Sequence, residues 1–280
     1  MVKYAYAVGR LRALEARLIN DAQIIRMTEA PDLQSAFLVL GETPYSEKID
    51  RLPQAFDFEE LLKQELISTK QLLDNLAPKD EILDVIFKKY DYHNLKVLLK
   101  NKLTGGTSTK ALYEIGTLPW HELERLEIAQ KAEGQDLRSI ENTIDKEYLR
   151  ILSQVAKLKK VPLFSEYVKI YKISAEIKIA LRSGRGNIEE VAKKYRYTDF
   201  NEALEKYQAS GNLFTLEKEL DDLLLLKIKR ARYFTFGVEP LIGFLHAKEV
   251  ELKIVRLILV AKLNRLKTEL IKERLRTSYV

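Results

Sequence analysis

Asn94-Leu95-Lys96-Val97, Glu176-Ile177-Lys178-Ile179 and Glu251-Leu252-Lys253-Ile254 spell one pattern three times along the chain: Asn or Glu, an aliphatic residue, Lys, and a β-branched residue. Upstream of each stands a cap-like residue followed by apolar positions at helical spacing: Asp57-Phe58 with Leu61, Asp136-Leu137 with Ile140, and Asn212-Leu213 with Leu216. Cap precedes lysine by 39, 42 and 41 residues, successive caps are 79 and 76 residues apart, and successive lysines 82 and 75. The two landmarks therefore keep register over the whole chain. The period is too long for the roughly 34–47-residue units of common helical solenoids. It predicts three similar helical lobes, over 1–106, 107–186 and 187–280, of a size to close around an axis.

Working outward, Leu11, Leu14, Leu18 and Ile25 recur at helical spacing after Gly9, which predicts one helix there. Asp57 starts another, with Phe58, Leu61, Leu62, Leu66, Leu72 and Leu73 on its apolar stripe. Ala30-Pro31-Asp32, Gly41 to Pro44 and Pro53 bracket a shorter helix near Leu33 to Leu40. Pro78 precedes a helix from about Asp80 to Leu103 that Thr104-Gly105-Gly106 ends, and Pro119, Gly134, Pro162, Gly184-Arg185-Gly186 and Gly211 divide the remainder of the chain. No segment alternates like an exposed strand for more than a few residues.

Composition agrees. Only 11 Gly and 7 Pro occur in 280 residues, and the dominant Leu, Lys, Glu, Ile and Ala favour helix, so the fold class is all-α. The 47 Lys and Arg are interleaved with 41 Asp and Glu, so the net +6 forms no dense basic stripe of the kind that duplex binding needs, and no nucleic-acid partner is expected. The absence of Cys fits a reducing compartment. The opening MVKYAYAVGRLRALEARL turns charged within ten residues, unlike a secretory leader. The most apolar stretch, Val250 to Leu263, is interrupted by Glu251, Lys253, Arg256 and Lys262, so no direct membrane span is expected.

Motifs with chemical meaning are missing. Gly105-Gly106-Thr107 lacks the spacing of a phosphate loop, and Arg182-Ser183-Gly184-Arg185-Gly186-Asn187 reads as a helix end followed by a turn. His93, His121 and His246 have no second ligand three or four residues away. Asp221-Asp222 resembles an aspartate box, but Leu225 occupies the place of its third carboxylate. No catalytic residue, metal site or cofactor is expected. Lys96, Lys178 and Lys253 carry two readings: cations snorkelling from helix edges over apolar neighbours, or one partner-binding cation per lobe around a shared opening.

These residues resemble the C subunit of archaeal and bacterial V/A-type ATPases, itself similar to the d subunit of eukaryotic vacuolar ATPases. The resemblance runs end to end. It is carried by YAYAVGRLRALEARLI at the start, APDLQSAFLVLGETPY, YDYHNLKVLLK at 90–100, EVELKIVRLILVAKLN at 249–264 and IKERLRTSYV at 271–280. It implies three lobes in a pseudo-threefold, funnel-like arrangement and a non-catalytic central-stalk adapter linking the rotor shaft to the membrane ring for proton or sodium transport. It further implies the shaft subunits and ring as partners, one copy per complex, and a cytoplasmic location peripheral to the membrane. This chain looks somewhat shorter than many relatives. The alternatives are an α-solenoid-like scaffold binding partner helices in a groove and a helical enzyme, which would need a deep pocket with converging titratable groups.

Overall fold

The computed structural model describes residues 4–52, 56–107, 109, 111–126, 128–129, 136–182, 190 and 198–280. The helices begin where the cap residues place them. Asp57 accepts a hydrogen bond from the Glu60 amide, Asp136 from those of Arg138 and Ser139, and Asn212 from that of Phe214. Each satisfies backbone donors that the first turn leaves unpaired.

In chain order the helices are α1 (Ala5–Glu15), α2 (Asp21–Glu29), α3 (Leu33–Gly41), α4 (Ser46–Ile49), α5 (Phe58–Leu76), α6 (Glu81–Thr104) and α7 (Trp120–Leu123). Then come α8 (Leu137–Lys159), α9 (Pro162–Arg182), α10 (Thr198–Ser210), α11 (Leu213–Ile228), a 3-10 turn over Lys229–Tyr233, α12 (Glu239–Leu263) and α13 (Thr268–Arg274). The described residues contain no strand, so the all-α expectation holds. Asp80 caps α6, and Gly105 ends it in the left-handed region at φ 69°, which a residue with a Cβ adopts only at a cost. The 183–187 turn expected after α9 and the Gly134 break lie outside the described residues.

One expectation fails. The single helix through Leu11, Leu14, Leu18 and Ile25 is two helices, with Gly9 inside the first and a break at residues 16–20. Asn20 forms a reciprocal capping box with Gln23 and opens α2 afresh. Leu18 and Ile19 are buried in the break and Ile25 is exposed on α2, so the helical period was coincidental there.

The described chain divides into two compact units, residues Met1–Pro78 with Tyr197–Val280, and Lys79–Arg196. The cut at Pro78 falls inside the first sequence repeat, giving α5 to one unit and α6 to the other. In the unit built from both chain ends, α12 is the axis and packs on α5, the 3-10 turn, α1, α3, α11, α13 and α2. It buries residues on every face, including Leu241, Phe244, Leu245, Val255, Ile258 and Leu259, which marks a core helix; a fully buried side chain of this kind contributes roughly 1.5–3 kcal/mol. None of the described helices is long and apolar enough to cross a membrane.

In the other unit α8 packs on both α6 and α9, and α7 packs on α6. Tyr148 of α8 is central there: its ring lies 5.5 Å from Tyr92 and 6.0 Å from Tyr171, and its hydroxyl donates to Ile86 O at 3.4 Å.

Candidate partner-contact site

The repeated lysines stand at similar distances from the starts of their helices. Lys96 is the sixteenth residue of α6, Lys178 the seventeenth of α9 and Lys253 the fifteenth of α12, each in the second long helix after its cap. Lys96 pairs with Asp145 of α8 at 2.7 Å, and Lys253 with Asp221 of α11 at 3.2 Å. Both acids stand nine residues after a cap, Asp136 and Asn212, but the first repeat has Leu66 there, and Asp145 serves the lysine of the preceding repeat whereas Asp221 serves that of its own. Lys178 is half-buried on α9. Lys96 and Lys178 belong to one unit and Lys253 to the other.

The residue two places before each lysine has a different task, because two positions on a helix turn the side chain by roughly 200° to the opposite face. Asn94 is buried and grips Tyr113 at both ends, donating from Nδ2 to Tyr113 O at 2.7 Å and accepting from Tyr113 N at 2.8 Å. Glu251, its counterpart in the third repeat, is also buried and accepts from Ile19 N at 2.6 Å, thereby fixing the break between α1 and α2. In the first and third repeats this place is thus an inward polar anchor that holds the backbone of another segment, with a lysine at the helix edge. In Glu176, between them in sequence, the same place is half-buried and lies 3.9 Å from Lys172.

Glu251 belongs to a buried ionic cluster that sequence reasoning missed, reading it as a repeat position and as a charge interrupting an apolar run. Lys248 Nζ lies 2.6 Å from Glu65 and 2.6 Å from Glu251, Tyr45 donates its hydroxyl to Glu251 at 2.8 Å, and Lys48 pairs with Glu65. Lys248 also sits over the Tyr45 ring, 4.9 Å from its centroid. Burial pushes the Glu65 carboxyl up, but the two ammonium groups outweigh it and hold the pKa below the ordinary carboxylate value. Burial likewise lowers Lys248, and the two carboxylates more than restore it, so its pKa is raised. Burial, with Glu251 and Glu65 nearby, lifts the Tyr45 phenol well above its usual range. Two ammonium groups thus face two carboxylates, and the cluster ties α4, α5 and α12 together.

The motif Tyr90-Asp91-Tyr92-His93-Asn94 straps down the segment after α6. Buried Asp91 accepts from Thr117 N at 2.9 and 3.0 Å, from Thr117 Oγ1 at 2.6 Å and from Leu118 N at 3.2 Å. His93 Nε2 lies 3.1 Å from Ala111 O, and burial lowers its pKa. His121 lies 3.9 Å from Glu122 on the surface, and His246 is buried on α12. Asp221 binds Arg276 at 2.7 Å besides Lys253, and Asp222 accepts from Thr277 N at 2.8 Å, so the aspartate pair fastens residues 276–277. Among the described residues no group of His, Asp and Glu has the arrangement of a metal site.

A family model described as ATP synthase (C/AC39) subunit matches residues 7–188 and 183–274. The chain is 24% identical to the C subunit of the A-type ATP synthase of Methanocaldococcus jannaschii over 98% of its own length and 86% of that relative. It is 26% identical to the C subunit of the V-type sodium ATPase of Enterococcus hirae over 96% of its length and 97% of the relative. A third relative, the C subunit of the A-type ATP synthase of Methanococcoides burtonii, is 23% identical over 97% and 94%. These alignments extend over 345, 322 and 335 positions, more than the 280 residues of the chain, so the relatives carry additional residues between matched segments. With matches running from residue 7 to residue 274, the chain belongs to the ATP synthase (C/AC39) subunit family.

Proposed function

We propose that this chain is the central-stalk adapter of a rotary V/A-type ATPase or ATP synthase. It receives the shaft on one side and rests on the membrane ring on the other, as one copy per complex at the cytoplasmic face, and serves transport of protons or sodium. In this reading the three sequence repeats are three lobes about a pseudo-threefold axis, forming a funnel. The observation that carries it is closure: α12 of the third repeat packs on α5 of the first, and Arg256 pairs with Glu59 across a separation of 197 residues. An open solenoid with nearest-neighbour contacts alone would keep those repeats apart. Close-packed helices transmit strain with little compression, which an adapter under torque requires.

Lys96, Lys178 and Lys253 are the proposed partner contacts: Lys96 and Lys253, paired with Asp145 and Asp221, can exchange those partners for acidic groups of a neighbouring subunit, and Lys178 holds the corresponding sequence position. A ring of identical copies meeting three similar lobes is a symmetry mismatch, so the contacts cannot all be equivalent. A few apolar anchors within a polar surface suit such a junction. The test is reconstitution without the chain, then with wild type or a variant carrying Lys96→Glu, Lys178→Glu and Lys253→Glu, reading assembly of ring with motor and ATP-driven ion transport. Full assembly and coupling in the absence of the chain refutes the adapter role. Wild-type behaviour of the triple variant refutes only the role of the lysines.

A further inference from the structure

The strap held by α6 ends in an exposed apolar tip. Leu112, Ile115 and Leu123 are buried beneath it, whereas Leu118 is 36% and Trp120 50% exposed, with Pro119 exposed between them. Trp120 is the one tryptophan of the chain, and its ring meets that of His121 edge-on at 5.9 Å. Asp91 fixes the base of the tip through Thr117 and Leu118. The approach needs glycine at 116, where a Cβ would stand 1.9 Å from the Asp91 carboxylate oxygen. The segment's own charge is also distinctive: residues 111–126 carry Glu114, Glu122 and Glu124, all exposed, against Arg125, in a chain whose net charge is +6.

We propose that the Leu118-Pro119-Trp120 tip is a preformed docking anchor for a basic protein surface containing an apolar pocket. The partner's identity rests on the adapter role proposed for the chain: it is a shaft or ring subunit of the same complex. An indole held in place before binding avoids much of the ordering cost of association, and tryptophan is enriched among residues that dominate binding energy. Lys or Arg at the pocket rim would meet both the indole face and the glutamates. The same glutamates repel anionic headgroups, which argues against a bilayer as the occupant.

A single tryptophan makes the test specific, because the full chain labelled with 5-fluorotryptophan gives one fluorine resonance from position 120 whatever tryptophans the partners contain. The chain is titrated separately with purified shaft subunits, with the detergent-solubilised ring, and with phosphatidylglycerol vesicles. The expected result is a shifted resonance with one of the two protein partners and none with vesicles. Trp120→Ala should weaken that binding about tenfold or more while leaving the far-UV dichroism unchanged. Gly116→Ala, which displaces Asp91, should weaken binding with Trp120 intact. If the chain is needed for assembly yet the resonance stays put, or Trp120→Ala binds within about twofold of wild type, the tip proposal is overturned and the adapter role stands. A shift with vesicles alone also overturns it. If the chain binds neither protein partner and reconstitution proceeds without it, the adapter role falls and this proposal with it.

Discussion

Replacing Lys248 with Met removes the shared cation of the buried cluster and keeps most of its side-chain volume. Lys248, Glu65 and Glu251 are only 8%, 8% and 7% exposed, so the two carboxylates cannot simply rehydrate where they stand. Glu65 retains Lys48, and Glu251 retains the Ile19 amide and the Tyr45 hydroxyl. Breaking a buried pair by removing one partner costs about 3–5 kcal/mol, a large share of the roughly 5–15 kcal/mol that holds a domain folded. These residual partners place the expectation toward the lower end, about 3 kcal/mol at pH 7. The assay is urea denaturation followed by dichroism at 222 nm, with Lys48→Met, whose partner Glu65 keeps Lys248, as a milder comparison.

The pH dependence has a definite sign. Glu65 has a lowered pKa in the folded wild type, so its contribution is present above the unfolded carboxylate value and disappears as pH falls through the folded one. Without Lys248 the burial effect gains, the carboxyl pKa rises, and acid relieves the strain by neutralising the group. The gap between wild type and variant is therefore widest near neutrality and narrows toward acid pH. A variant within about 0.5 kcal/mol of wild type at pH 7, the scale of an ordinary surface substitution, would refute the reasoning; so would a gap that widens on acidification.

Asp91→Ala should strip hydrogen-exchange protection from the Thr117 and Leu118 amides and cost about 2–3 kcal/mol, since it removes four hydrogen bonds to a buried carboxylate; unchanged protection of those amides would refute it. Lys253→Ala should shift stability by less than about 1 kcal/mol in the same denaturation assay, because its pair with Asp221 is partly exposed and Arg276 remains on that carboxylate. Burial, with Glu15 nearby, pushes the Tyr279 phenol up to about 12, so its contribution is full below the unfolded tyrosine value and is lost as pH rises through the folded one. Tyr279→Phe should flatten that alkaline loss of melting temperature.

The features legible in the sequence are those whose causes are local. Asp57, Asp80, Asp136 and Asn212 cap helices by reaching amides two or three residues ahead, so residue type and position suffice to find them. Gly105 ends α6 for an equally local reason, its positive φ. The triple pattern is legible because its cap residues and lysines recur at fixed separations along the chain, which also let the resemblance to the V/A-type C subunits be drawn from end to end.

Only the tertiary structure assigned the polar residues to their tasks. Glu251 and Lys253 are both charged and two residues apart, yet one is buried against the backbone of Ile19, 232 residues away, and the other pairs with Asp221 at the surface. Composition cannot separate them, because burial depends on which distant elements cover each face of α12. For the same reason the break at residues 16–20 escaped the helical period: Leu18 matches the spacing of a helix, but its apolar side chain is buried in a turn that Glu251 holds through the Ile19 amide. A cap is decided within one turn of chain, whereas a buried charge is stable only when partners from several elements arrive together. That condition belongs to the folded chain and leaves no periodic trace in the sequence.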